Sequence, residues 1–125
     1  MKHPFTNDLH AIAYQAFRNL YPNKRLDLIQ WCNQIEGGFD GEVQILEGGF
    51  TIINISPDIT MSDSLNVFLG QLTTVAAGTD DQTTEVWHKT AEAIAEEFDK
   101  IFQDNFGLPF VYEVKEVEDG EEAQA

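Results

Sequence analysis

The chain has 125 residues, 22 Asp and Glu against 7 Lys and Arg, a net charge of −15 and a pI ≈ 4.2. One domain of this length can bury a single core, while the 1 Cys, Cys32, excludes an intrachain disulfide and points to a reducing, cytoplasmic setting. The charge argues against direct nucleic-acid binding, which needs cations to displace counterions, and the absence of an apolar leader or a run of about 18 apolar residues argues against secretion and membrane insertion.

Asn7 to Tyr21 reads as a helix, with Leu9, Ile12, Ala13, Ala16, Phe17 and Leu20 on one stripe and Pro22 as its stop. His10 and Tyr14 fall off that stripe, so His10 reads as a surface histidine rather than a ligand. Leu26 to Ile35 is a strand candidate with imperfect alternation. Cys32 within it has no cationic or histidine neighbour and reads as an inert thiol. Glu36 to Gly41 is a glycine-rich turn that lacks the Lys-Ser/Thr and following helix of a phosphate loop. Glu42 to Leu46 alternates through Val43 and Ile45, Glu47-Gly48-Gly49 makes a hairpin turn, and Phe50 to Ile55 is a β-branched strand ended by Ser56-Pro57. The exposed sheet edge, where a partner strand could pair, is placed at Phe50, Ile52 and Asn54.

Leu65, Phe68, Leu69, Leu72, Val75 and Ala76 recur at helical spacing, with Ser62 as the expected N-cap and Gly78 as the residue after the last turn. Gly70, Gln71 and Thr74 share the neighbouring face. A mid-helix glycine costs about 1 kcal/mol against alanine, so helix stability does not explain Gly70. Thr79 to Thr83 is a polar loop whose Asp80 and Asp81 are weak grounds for a cation site. Thr83 or Thr84 caps a last helix with its stripe on Trp87, Thr90, Ala91, Ile94, Phe98, Ile101 and Phe102, ending by Gly107. Leu108 to Tyr112 is a short apolar segment, packed on the body or exposed for docking. From Glu113 the chain has six acids and one lysine, reads as a disordered tail, and leaves −10 on the rest. The expected organisation is one domain over residues 1–112 with a tail over 113–125, and neither internal repeats nor a linker divides it.

The helix around Gly70 has flanks that resemble those of small zincin-like metallopeptidase domains of bacterial and phage genomes. In that class His-Glu-x-x-His places two zinc ligands four apart on one helix face, with the glutamate as general base. The matching positions here read Gly70-Gln71-Leu72-Thr73-Thr74. Asp40-Gly41-Glu42, Phe50 to Ile55, Pro57, Val75-Ala76-Ala77-Gly78 and Trp87 fit the outline, which covers Asp27 to Phe106. The third ligand, four residues before the tryptophan, corresponds to Thr83. The resemblance implies an α+β, zincin-like fold with an N-terminal helix, a three- to four-stranded, mostly antiparallel sheet and two long helices packed on it. It also implies an inherited site that has lost its chemistry, with Gly70, Gln71, Thr74 and Thr83 in place of the ligands and base.

Glycine and threonine are not usual zinc ligands, and the amide of Gln71 cannot take a proton from water near neutral pH. No Gly-x-Ser-x-Gly elbow occurs. The leading expectation is a catalytically inactive pseudo-metallopeptidase of the phage or mobile-element kind, with no metal or cofactor, that binds a protein partner through the old cleft. One alternative is an acidic decoy that occupies the basic nucleic-acid site of another protein. Another is a hydrolase whose metal site has been rebuilt from His88, Asp80 and Asp81.

Overall fold

The computed structural model describes residues 8–107, so Leu108 to Tyr112 and the acidic tail lie outside the described residues. The element order is α1 (Asp8–Leu20), β1 (Leu28–Trp31), β2 (Gly41–Ile45), β3 (Thr51–Ile55), α2 (Met61–Ala77) and α3 (Glu85–Phe106). Each helix follows its apolar period: Ile12, Ala13, Ala16 and Phe17 of α1 are buried, as are Leu65, Phe68, Leu72 and Ala76 of α2 and Ile94 and Phe98 of α3. Thr60, not Ser62, caps α2, because Thr60 keeps extended backbone while its hydroxyl accepts the Asp63 N–H at 3.1 Å. Ser62 already lies inside the first turn. Gly78 closes the same helix at φ 75°, and Thr84 caps α3.

The three strands lie in the order β1-β3-β2. β1 runs parallel to β3, and β2 runs antiparallel to it. The sheet is therefore mixed rather than mostly antiparallel, because the chain leaving β1 skips one place and β3 turns back into the gap. This also corrects the assignment of Phe50, Ile52 and Asn54 to an edge. β3 is the central strand, its backbone paired on both sides, and all of Thr51–Ile55 is buried. Its near-continuous β-branched run, broken only at Asn54, instead of an apolar–polar alternation, is the pattern of a strand covered on both faces. The outer strands are β1 and β2.

Ile53 and Ile55 face the main core, whereas Ile52 and Asn54 occupy the opposite face. There Asn54 is buried by polar neighbours. Gln30 donates to its Oδ1 at 2.8 Å, and its own Nδ2 donates to Glu42 at 2.7 Å and Gln44 at 3.1 Å. β1 is shorter than the sequence pattern, and just before it Asp27 ties β1 to β3. The Asp27 carboxylate accepts the Thr51 N–H and the Arg25 Nε–H, both at 2.8 Å, while Arg25 also donates to the Gly48 carbonyl. The Thr51 N–H, followed by Arg25, holds the Asp27 carboxyl below its ordinary pKa. A depressed carboxylate stabilises the fold above its ordinary pKa, and that contribution disappears as pH falls through the depressed value. Asp27→Asn is therefore expected to lower the urea midpoint at neutral pH, with the gap to the parent narrowing as the solution is acidified.

No repeat of domain or solenoid scale occurs, but the tetrapeptide Glu-Gly-Gly-Phe stands twice, at 36–39 and 47–50, on either side of β2. Both copies form the same tight turn, with Gly37, Gly38, Gly48 and Gly49 all at positive φ, which glycine alone adopts without strain. α2 touches β2 and β3 on one side and α1 and α3 on the other, whereas α3 packs mainly against α1 and α2. Of the two long helices, then, α2 is the one that lies on the sheet. His10 is fully buried, against the expectation of a surface residue. Its Nε2 lies 2.9 Å from the Ser64 hydroxyl, and its ring stacks on Phe68 at 5.9 Å. With helices packed on two of its sides, α1 has a buried arc wider than its apolar stripe.

Candidate binding cleft

β2 and the C-terminal half of α2 border a cleft of about 890 Å³. Pleating turns Gly41, Val43 and Ile45 of β2 toward the helix side, opposite Ile55, Ile53 and Thr51 of β3. Gly41 is required by closeness rather than by its dihedral angles. A Cβ there would stand 2.5 Å from Val67 Cγ1 and 3.2 Å from Gln71 Cγ. Strand and helix thus meet most tightly at this wall. Phe39, Val43, Ile45 and Val75 make the lining apolar, and Gln71 and Thr74 add polar tips. Phe39 is 69% exposed and Ile45 70%, so the apolar lining opens to solvent.

The hydrogen-bond phase of β2 fixes what its outer edge offers. Ser56 N donates to Asp40 O and Leu46 N to Phe50 O, each at 2.8 Å. The antiparallel alternation then turns the main chain of Glu42 and Gln44 toward β3 and that of Gly41, Val43 and Ile45 outward. Among the described residues, no strand pairs with this outer edge. β2 carries neither the lysine nor the proline that usually protects an edge.

The four positions that the zincin resemblance matches to ligands and base separate. Gln71 and Thr74 line the cleft. Gly70 lines a smaller hollow of about 210 Å³ shared with Trp87, Ala91 and Ile94 of α3. Thr74 joins the two, since its hydroxyl accepts the Trp87 indole N–H at 3.2 Å. Thr83 lines neither. Its hydroxyl and N–H both donate to the same Asp81 oxygen, at 2.6 and 3.0 Å, which lowers the Asp81 pKa. A Cβ at Gly70 would meet nothing within 4 Å, and the residue does not adopt positive φ. Gly70→Ala is thus expected to stabilise the protein by about 0.5–1 kcal/mol through helix propensity, read as a raised denaturant midpoint at unchanged slope.

Among the described residues, no three His, Cys, Asp or Glu side chains gather in a metal-binding arrangement. His88 lies exposed on α3 with its ring edge-on to Trp87 at 5.8 Å, while Asp81 is engaged by Thr83, so no cluster of His88, Asp80 and Asp81 forms. Cys32 is half-buried just past β1, and its N–H donates to Ile55 O at 2.9 Å. The Gln71 amide and Thr74 hydroxyl can bind and orient a ligand through hydrogen bonds but do not serve as acid or base near neutral pH. Val43 and Ile45 were visible in the sequence as an alternating pair, and Phe39 as part of the glycine-rich turn at Glu36 to Gly41. What hid their role was the strand order, which local pattern does not encode.

No helix among the described residues is long and apolar enough to cross a membrane. In comparisons of the chain with models of protein families, with curated proteins and with solved structures, nothing matches.

Proposed function

We propose that this chain is a catalytically inactive zincin-like domain that serves as a protein-binding module, taking an extended segment of its partner along β2 and into the cleft. The observation that carries this reading is the outer edge of β2, with the main chain of Gly41, Val43 and Ile45 turned outward beside an apolar cleft. Main-chain pairing of this kind needs no metal and gives affinity through the backbone, while pockets for alternate side chains give specificity. The zincin resemblance agrees with it, because in that class the sheet edge and the active-site helix flank the peptide cleft. Gln71 and Thr74, which replace the base and a ligand, offer hydrogen bonds where the metal chemistry would stand.

Val43→Pro tests the reading. The outward N–H of Val43 takes no part in the ladder with β3, so proline removes a donor from the edge and leaves the inner pairing in place. Peptides recovered on the parent protein from a random decapeptide display library are expected to bind this variant at least about tenfold more weakly. Equal binding would discard the edge as the site. The charge of −15 favours a second reading, the acidic decoy. Its mark would be partner binding that falls steeply with salt and is indifferent to Val43→Pro.

A further inference from the structure

We infer that the segment received by β2 is a cationic amphipathic strand, with apolar side chains on its cleft side and Lys or Arg on the other; this rests on the reading of the edge as a peptide site. Pairing with β2 fixes which way the incoming side chains point. Those opposite Val43 and Ile45 lie on the helix side, beside Phe39 and Val75. Those opposite Glu42 and Gln44 lie on the far face of the sheet.

The two faces differ in charge. Glu42 apart, the charged residues that border the cleft are Lys24, Arg25 and Asp80; Arg25 is taken up by Asp27 and the Gly48 carbonyl, and the opposite charges of Lys24 and Asp80 offset. The cleft side is thus close to neutral and selects apolar groups. Glu42 also borders the cleft, but its carboxylate is turned to the far face, where it accepts the neutral Asn54 amide. The ion pairs among the described residues join Arg25 to Asp27, Lys89 to Glu85 and Lys100 to Glu97, and none reaches Glu42. A cation opposite Glu42 would gain a cross-strand partner, and the overall charge of −15 would speed its approach.

A second copy of the chain fits less well. It would bring two bodies of −15 together.

The test uses the full chain, a random decapeptide display library and amide hydrogen exchange at Val43 and Ile45. Recovered sequences are expected to alternate apolar with Lys or Arg, and to slow exchange at both amides at least about tenfold. Glu42→Gln, which keeps the acceptor for Asn54, is expected to weaken them several-fold, more so at low salt. Recovered peptides that protect both amides without an excess of basic residues would overturn the charge preference alone. Peptides that protect neither amide, or no recovery at all, would overturn the edge reading with it. Protection already present in the free chain overturns the inference as well: if it grows with protein concentration the occupant is a second copy, and if it does not, the occupant is a segment of the chain itself.

Discussion

Gly41→Ala is expected to destabilise the protein by about 1–3 kcal/mol, although alanine would ordinarily be the better residue for an unfolded chain to lose. The added methyl would fall 2.5 Å from Val67 Cγ1, a branched side chain with little rotamer freedom on α2. Gln71, the other neighbour at 3.2 Å, is unbranched and can yield. The strain is therefore assigned to Val67, and the pair should be coupled. Val67→Ala alone costs part of a half-buried side chain, but in the Gly41→Ala background it removes the clash, so the double variant should be more stable than the sum of the single losses implies. Urea denaturation of the four proteins measures the coupling. Additive losses would mean that the strand and helix separate freely, and that the tight wall of the cleft is not held by this contact.

The combined variant Gly70→His, Gln71→Glu, Thr74→His and Thr83→His is expected to bind zinc, where the parent offers glycine, an amide and two hydroxyls. Residues 70 and 74 are four apart on α2, the spacing that lets two imidazoles share one ion. The expected calorimetric result is one zinc per chain, weakened at least about tenfold when Thr83 is retained, since zinc sites need a third protein ligand. The Thr83 side chain now holds Asp81 and lines neither hollow, so this third position carries the sharpest risk. No heat of binding by the fourfold variant would count directly against descent from a zincin.

Much of the fold was legible because it is local. The helices at Asp8–Leu20, Met61–Ala77 and Glu85–Phe106 follow from apolar spacing, and the glycine ends of the last two from the left-handed turn that glycine admits. The strand at Thr51–Ile55 was legible as a strand but not as the middle one, because strand order depends on which gap the chain fills after β2. His10 was misplaced for a similar reason: its burial comes from α2 and Ser64, 54 residues away, not from its own helix. The candidate site was legible in part. Gln71 and Thr74 do border the cleft, but its strand wall is β2, and Thr83 is kept away by an aspartate two residues before it.

The amide at the centre of β3 has one more consequence. Slide that strand by a single residue and Asn54 would point into the helices while an isoleucine took its place among Gln30, Glu42 and Gln44. Each such misalignment strands a polar group in an apolar interior at a cost of about 1–3 kcal/mol. Beside the Asp27 tie and the close fit at Gly41, one asparagine thus acts as a key that favours a single arrangement of the chain.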